Sequence, residues 1–337
     1  MKRLNVTYFQ RKPYPHGHFS IEFIFEDVRR RLADRVDARV KVLAYLSKGL
    51  WPRLYSAVEC AFFQNEINHV TGDTSFAGIF LSKKKTVQTV HDCGFLDNKG
   101  RAARAVLWFF WLWLPLRRAR VVTTVSGFVR ENVLQLVGLD PSKVVVVPDQ
   151  IDEIYRPVPK VFDKKCPVIL QVGMAPNKNV LRLIEALEGI PCHLLVVGKI
   201  GAEVAEKLAR HGIDYSNFFN ISREEMFQKY VQCDLLAFVS THEGFGMPII
   251  EANTVERAVV AGNVTSMPEV AGDAACLVDP YSVDDIRSGI LRVILDDVYR
   301  EKLIENGREN RKRFDPQAIA EAYLKVYQNI LDNGCAA

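Results

Sequence analysis

Residues 234–251, which read DLLAFVSTHEGFGMPIIE, decide the fold. An apolar run at 235–239 leads into a Gly-Phe-Gly turn. Pro248 then stands where a helix would begin, because the first helical turn needs no amide hydrogen from it. The stretch therefore predicts a strand, a glycine turn and a helix, with Glu243 and Glu251 on either side of the turn.

The turn has the composition of an anion-binding site. Gly244 and Gly246 let the backbone approach a ligand closely, and the amides of Phe245, Gly246 and Met247 precede the helix. Such a helix start attracts anions, phosphates above all. Glu251 cannot favour a phosphate, so we expect it to accept hydrogen bonds from sugar or ribose hydroxyls. A glutamate near a helix start is also favourable without a ligand, so a structural role stays open.

Strand-like runs alternate with amphipathic segments along the chain. In the first half the runs are residues 4–9, 39–45, 67–71, 86–90, 120–125 and 144–147, with a helical segment at 20–32. After a polar, proline-bearing linker at 150–167 they are 168–172, 193–197, 218–221, 235–239, 258–261 and 276–278. Apolar strands alternating with helices are typical of parallel sheets covered on both faces.

This pattern predicts an α/β protein with two Rossmann-like, doubly wound domains. We expect the first domain at 1–155, the second at 156–315, and a C-terminal helical segment at 316–337 that crosses back to the first. Ligands of such sheets bind at the carboxyl ends of the strands, so a cleft between two facing domains is the expected site.

The composition narrows the function classes. The chain has 337 residues, 48% hydrophobic and 25% charged, which is typical of a packed protein. A net charge of +4 is too small to suggest a nucleic-acid partner. Seven cysteines without a CxxC pair, and an N-terminus without a secretory signal, favour a cytoplasmic protein.

Several motifs are missing from the sequence. It contains no GxxxxGK[ST], GxSxG or HExxH motif. It also contains no Asp-x-Asp, the usual carboxylate pair that holds a divalent metal on a nucleotide diphosphate. We therefore expect neither a metal nor another cofactor.

At this point the sequence resembles a GT-B glycosyltransferase of family 4, which is a large retaining family. The family's E-x7-E element matches Glu243 to Glu251. Residues 266–274 (SMPEVAGDA) and 277–280 (LVDP) match its usual continuation. Weaker similarities occur at 89–92 (TVHD), 124–126 (TVS), 145–148 (VVVP), 171–173 (QVG) and 177–179 (NKN).

The resemblance implies roles for the matched residues. Lys178 would bind the donor diphosphate and stabilise the leaving group, Glu243 would face the donor sugar, and His91 would lie close to the transferred sugar. These three are the expected catalytic residues, and Glu251 would hold the ribose hydroxyls. The other expected donor-binding residues are Gly17, Gly173, Asn220, Ile221, Gly244, Phe245, Gly246 and Met247.

Some of these residues also have simpler interpretations. Asn220 and Ile221 end a predicted strand, where backbone groups could recognise a nucleotide base, although Ser222 also fits a helix cap. On the acceptor side we expect His16, His69 and Asp92, with a plain loop or turn as the alternative.

One departure from the family pattern concerns the phosphate site. The family usually places an arginine a few residues before the lysine, but the loop at 173–178 reads GMAPNK. Without a bidentate phosphate clamp, charge stabilisation would rest on Lys178 and the helix start, or on another cation.

A twelve-residue apolar stretch, AVLWFFWLWLPL at 105–116, is flanked by arginines. It is too short to cross a bilayer, which needs about 20 residues. One interpretation is a buried helix. The other is a peripheral membrane contact through 101–120, with Trp108, Trp111 and Trp113 in the lipid interface.

The sequence thus predicts a retaining, metal-independent enzyme that moves a hexose from a UDP- or GDP-sugar to a saccharide or lipid-linked acceptor. The family's habits suggest surface polysaccharide or O-antigen assembly on the inner face of a membrane. Two alternatives stay open, a non-catalytic module that binds sugar nucleotides and a GT-B sugar-nucleotide epimerase.

Overall fold

The computed structural model describes residues 3–13, 20–47, 49–96 and 100–332. The chain divides into two units. Unit 1 comprises residues 1–150 and 316–337, and unit 2 comprises residues 151–315. The division falls at Gln150–Ile151, within the proline-bearing segment that the sequence marked as a linker.

Each unit contains one six-stranded sheet in which all pairings are parallel. The strands of unit 1 are β1 (Leu4–Gln10), β2 (Val36–Val42), β3 (Ile67–Val70), β4 (Thr86–Val90), β5 (Val121–Thr124) and β6 (Val144–Val146). Those of unit 2 are β7 (Val168–Val172), β8 (His193–Val197), β9 (Asp214–Phe218), β10 (Leu235–Phe238), β11 (Ala258–Gly262) and β12 (Cys276–Val278).

Helices lie between most of the strands, because parallel neighbours need long crossover connections. In chain order they are α1 (Ser20–Arg31), α2 (Leu50–Ala61), α3 (Arg101–Leu107), α4 (Leu114–Arg118), α5 (Gly127–Val137), α6 (Val180–Leu187), α7 (Ala202–Arg210), α8 (Arg223–Gln232), α9 (Met247–Val255), α10 (Met267–Ala271), α11 (Val283–Leu295), α12 (Asp297–Asn310) and α13 (Pro316–Asp332). A π-helical stretch, Trp108–Trp113, joins α3 to α4.

Helix α13 belongs to unit 1 although it follows unit 2 in the sequence. Its apolar face, which includes Tyr323 and Tyr327, is buried in one core with Tyr8 of β1 and Phe25 of α1. A second unit 1 core lies under α2 around Phe9 and Leu43.

The strand order places one switch point in each sheet. Unit 1 has the order β2-β1-β3-β4-β5-β6, so the direction of winding reverses between β1 and β3. Unit 2 has the order β12-β11-β10-β7-β8-β9, so the reversal falls between β7 and β10. Ligands of open α/β sheets bind beside the carboxyl ends of such strands. The glycine turn follows β10, and the loop with Lys178 follows β7.

The α/β prediction is confirmed, and most predicted strands coincide with observed ones. The exception is residues 218–221, because β9 ends at Phe218 and the preceding residues 214–217 are in the strand. Its sequence DYSNF is polar because β9 is an edge strand and half-exposed. Ser222 caps α8 and forms a capping box with Glu225, as the alternative interpretation held.

The apolar stretch 105–116 matches neither interpretation fully. Trp108 donates a hydrogen bond from Nε1 to the Leu136 carbonyl at 2.7 Å. The Trp111 ring packs on the Phe76 ring, with 4.9 Å between the ring centroids. Phe109 and Phe110 of the same stretch are exposed. Within the described ranges, no helix combines the length and apolarity that crossing a membrane requires.

Candidate active site

The glycine turn after β10 is fixed by hydrogen bonds from the start of α10. Ser266 donates from Oγ to the carbonyls of Glu243 at 2.9 Å and Phe245 at 2.7 Å. Thr265 Oγ1 accepts the Glu243 amide at 3.2 Å. Gly246 has φ of 117°, a conformation that favours glycine, and it forms the N-cap of α9. The turn therefore has one defined shape before any ligand binds.

The loop after β7 brings Lys178 to the turn. Its ammonium lies 2.5 Å from Glu243 Oε1, and both side chains are largely buried, 20% and 13% exposed. Gly173, with φ of 88°, allows this approach, because a Cβ there would lie 3.0 Å from Lys178 Cε. The loop and the turn thus form one site in unit 2.

Two asparagines attach the loop to the end of β10. Asn177 donates from Nδ2 to the His242 carbonyl at 2.8 Å. Asn179 adopts a left-handed conformation and donates to the carbonyls of Val239 at 3.0 Å and Pro280 at 2.6 Å. Because these bonds use backbone acceptors, they fix the loop whatever ligand the side chain of Lys178 meets.

The phenyl ring of Phe238 lies near both Lys178 and the start of α9. The Lys178 ammonium lies 4.9 Å from the ring centroid. A Cβ built on Gly246 would lie 3.6 Å from Cε1 of the same ring. The ammonium of Lys178 and the N-cap residue of α9, Gly246, are therefore both close to one side chain, which brings a cation and a helix N-terminus near each other.

Glu251 lies one turn further along α9 and is held by two tyrosines. Tyr230 donates from its hydroxyl to Glu251 Oε2 at 2.6 Å, and Tyr155 donates a second hydrogen bond. Burial raises the pKa of the Glu251 carboxyl, and the two hydrogen bonds and the charge of Lys178 offset this only in part. The carboxyl is thus a preoriented acceptor close to a cation.

Other predicted donor-binding residues lie in different surroundings. Gly244 and Phe245 are buried, and the Phe245 ring packs edge-on against Phe314 at 5.5 Å. Met247 is the first residue of α9 and is partly exposed. Asn220 and Ile221 follow β9, which lies two strands away from β7 in the sheet. They do not end a strand, which corrects that prediction.

His91 follows β4 in unit 1 and is bound on both ring nitrogens. Nε2 donates to the Thr71 carbonyl at 2.9 Å, and Nδ1 lies 3.7 Å from the buried carboxylate of Asp149. Burial lowers the pKa of His91, but the Asp149 charge and the hydrogen bonds outweigh it, so the pKa is raised. Both ring nitrogens of His91 therefore already have protein partners.

His69 does not lie where the sequence prediction put it. It is within β3, fully buried, and packs against the rings of Phe25 and Tyr323. Its nitrogens contact the hydroxyls of Tyr327 at 2.8 Å and Thr89 at 2.7 Å. Burial lowers its pKa to about 3, so it is a neutral core histidine and not an acceptor-side group.

The remaining predicted acceptor-side residues are only partly located. Asp92 follows β4, is exposed, and accepts the Gly94 amide at 2.7 Å. His16, and with it the predicted donor residue Gly17, lie outside the described residues.

No cluster of three or more His, Cys, Asp or Glu side chains suited to a metal ion occurs in the described part of the chain. The Lys178–Glu243 pair, the start of α9 and Glu251 together can instead bind a ligand with a phosphate group at one end and hydroxyls at the other.

Several supporting residues were not predicted from the sequence. Ser266 begins the motif at 266–274 and Thr265 directly precedes it, but the motif alone does not show that these residues bond to the turn. Tyr155 and Tyr230 carry no local signal, because only the fold brings them to Glu251. Asp149 follows a predicted strand, and its partner His91 lies 58 positions earlier in the sequence.

The fold and this site define a two-unit α/β protein with a lysine–glutamate pair and a helix N-terminus at the switch point of the unit 2 sheet. Residues 152–310 match the family model described as "Glycosyl transferases group 1", and residues 15–153 match the model "Glycosyltransferase Family 4". The chain belongs to the GT-B glycosyltransferases of family 4.

Curated relatives are found among bacterial mannosyltransferases. The chain is 29% identical over 238 residues to the O-antigen chain mannosyltransferase B of Escherichia coli, a match that covers 63% of this chain and 61% of that protein. The chain thus spans less than two thirds of this relative's length.

Solved structures share the fold over nearly the whole chain. The Anabaena protein Alr3699/HepE, solved with UDP and glucose, has a TM-score of 0.78 at 18% identity and covers 97% of this chain and 100% of its own. Sucrose-phosphate synthase from Thermosynechococcus elongatus has a TM-score of 0.81 at 17% identity, with 98% and 100% covered.

Proposed function

We propose that this protein is a retaining, metal-independent glycosyltransferase that moves a hexose from a UDP- or GDP-sugar to a saccharide or lipid-linked acceptor. The observation that carries the proposal is the contact of Lys178 with Glu243 at the glycine turn that leads into α9, with the ring of Phe238 close to both Lys178 and Gly246. A departing nucleoside diphosphate gains negative charge, and preorganised cations and amide dipoles are the means of stabilising it.

The other groups of the site fit a donor in a defined orientation. Glu251, held by Tyr230, would accept hydrogen bonds from ribose hydroxyls. Glu243 would face the sugar, and its contact with Lys178 would give way to the phosphate. His91 would act from the carboxyl edge of the unit 1 sheet, through its charge or its backbone.

The reaction would proceed at one face of the sugar. The bond between C1 and the diphosphate oxygen breaks as the acceptor oxygen bonds to C1. The proton of the acceptor hydroxyl passes to the leaving diphosphate oxygen. Lys178 replaces the charge that a divalent metal would otherwise supply, so no metal is required.

The relatives suggest which sugar to test first. The Escherichia coli relative is named an O-antigen chain mannosyltransferase, and another relative from Mycolicibacterium hassiacum, 24% identical over 244 residues, is also named a mannosyltransferase. Mannose is accordingly the first hexose to examine, and surface polysaccharide or O-antigen assembly is the proposed context.

A cytoplasmic location with peripheral membrane contact would suit a lipid-linked acceptor. In unit 1, Phe109 and Phe110 are exposed, and α2 exposes Leu50, Trp51 and Phe62, with Phe62 81% exposed. Serine at Phe109 and Phe110, or at Trp51 and Phe62, should reduce co-sedimentation with vesicles. Unchanged sedimentation of both variants, or no sedimentation of the wild type, would contradict the contact.

The enzyme proposal is tested with labelled UDP- and GDP-hexoses, GDP-mannose included, in EDTA with saccharide and lipid acceptors. We expect donor hydrolysis or transfer that Lys178→Met abolishes, whereas Lys165→Met, at an exposed lysine, leaves it intact. Nucleotide binding without turnover would instead support a non-catalytic module, an option that the missing loop arginine keeps open. Lack of any nucleotide binding would reject both.

A further inference from the structure

A basic groove lies on unit 1 at the amino ends of three neighbouring strands. Its volume is about 740 Å³, and its residues precede or open β4, β5 and β6, with the last turns of α13 along one side. Its cations are Lys83, Lys84, Arg117, Arg118, Arg120 and Lys143. Because His91 follows the carboxyl end of β4, the groove is at the opposite edge of the sheet from the candidate catalytic residue.

Cations outnumber carboxylates among the described residues that line the groove. One carboxylate, that of Asp140, lines the groove, and it accepts hydrogen bonds from the amide and the hydroxyl of Ser142 at 2.9 and 2.8 Å. Across the residues that the structure describes, no carboxylate pairs with Lys83, Lys84 or Arg120.

Part of the cluster has a structural role. Lys143 donates to the carbonyls of Leu116 and Arg117, both at 2.9 Å, and so satisfies acceptors at the end of α4. Arg118 donates to the Leu81 carbonyl at 3.3 Å. Capping of this kind does not account for Lys83, Lys84 and Arg120, which are exposed side chains without a hydrogen-bond acceptor among the described residues.

The cations of the groove also act on one another. Burial, together with the charges of Arg117, Lys83 and Arg120, lowers the pKa of Lys143 to about 8. A bound anion would relieve this repulsion and favour the charged form of the lysine.

We propose that the groove is a second ligand site, which binds a phosphate-bearing anion. A phosphate accepts several charge-assisted hydrogen bonds, and clustered lysines and arginines supply them from several directions. The phosphate could belong to a soluble molecule or to the headgroup of an anionic lipid. The proposal does not depend on the donor site around Lys178.

The test uses the full chain, with sodium pyrophosphate as the soluble probe and vesicles of phosphatidylcholine with phosphatidylglycerol as the lipid probe. Amine labelling of Lys143 at pH 8, read by peptide mass spectrometry, reports on the groove and not on Lys178. We expect a probe to slow this labelling severalfold and up to about tenfold, because a rise of one unit in the pKa reduces the neutral amine by up to that factor.

Two triple variants that change the net charge by the same amount distinguish an effect of the groove from an effect of the protein's overall charge. K83E/K84E/R120E should lose the protection, whereas K165E/K302E/K312E, at exposed lysines of unit 2, should keep it. Protection by pyrophosphate supports a soluble ligand, and protection only by phosphatidylglycerol vesicles supports a lipid headgroup. Equal labelling of wild-type Lys143 with and without both probes, or protection that survives in the groove variant, would overturn the proposal.

Discussion

Neutralising Glu243 should change nucleotide binding and sugar transfer in opposite directions. In the structure Glu243 Oε1 lies 2.5 Å from the Lys178 ammonium. A diphosphate must displace this carboxylate and also lie close to its negative charge. Glu243→Gln keeps the size of the side chain and removes both costs, so we expect UDP or GDP to bind more tightly.

The magnitude follows from the geometry of the pair. A hydrogen bond to a charged group is worth about 1.5–3 kcal/mol net. The two side chains are 20% and 13% exposed, and the glutamine of the variant can still accept a hydrogen bond from Lys178, so the lower end of this range applies. An improvement of about 1.4 kcal/mol in the binding free energy of the nucleotide corresponds to about a tenfold lower Kd. Transfer should fall by about tenfold or more, because the change alters the group that we propose faces the sugar.

Isothermal titration with UDP and GDP in EDTA measures the affinity, and donor turnover measures transfer. Glu224→Gln, at an exposed glutamate in the first turn of α8, is the matched control and should change neither. An unchanged or higher Kd for both nucleotides in Glu243→Gln would show that Glu243 does not compete with phosphate for Lys178.

Three further predictions concern the supporting residues. Gly72→Ala should lower activity and destabilise the protein by about 1–3 kcal/mol, because Gly72 has φ of 125° and the new Cβ would lie 2.4 Å from His91 Cδ2. Urea unfolding measures the loss, and the control Gly100→Ala should show none, because a Cβ at Gly100 meets nothing within 4 Å. Because the pKa of His91 is raised in the folded protein, its pairing with Asp149 stabilises the fold fully below about pH 6.5 and progressively less as the pH rises through the folded-state pKa. The free energy of unfolding, measured from pH 6 to 9, should lose this pH dependence in Asp149→Asn. The same pH profile in the variant and the wild type would count against the pair. Tyr230→Phe removes the 2.6 Å hydrogen bond to Glu251, so the free energy of unfolding should fall by about 1–3 kcal/mol. The variant should also prefer UDP over 2′-deoxy-UDP less than the wild type does. The same preference in both proteins would show that Glu251 does not recognise the ribose.

Much of the architecture could be predicted because it depends on local patterns. The apolar runs at 86–90, 168–172 and 193–197 coincide with β4, β7 and β8, since buried parallel strands are continuously hydrophobic. Strand β9 was misplaced because an edge strand tolerates polar residues such as Asn217.

The site was only partly predictable, for a physical reason. Lys178, Glu243 and Gly246 lie in short motifs whose chemistry can be interpreted locally. His69 was misassigned because a histidine near a strand end has the same local sequence whether it is exposed or bound by Tyr327 and Thr89. Glu251 could be found, but its tyrosine partners could not, because their contacts depend on tertiary packing.

The most direct test of the central claim is the rate of donor hydrolysis or transfer in EDTA, measured for the wild type and for Lys178→Met with and without added Mg²⁺. We predict that the wild type keeps its rate in EDTA, that Lys178→Met loses about 100-fold or more, and that Mg²⁺ does not restore it. A wild-type rate that disappears in EDTA and returns with Mg²⁺, or a variant that matches the wild type, would contradict charge stabilisation by Lys178.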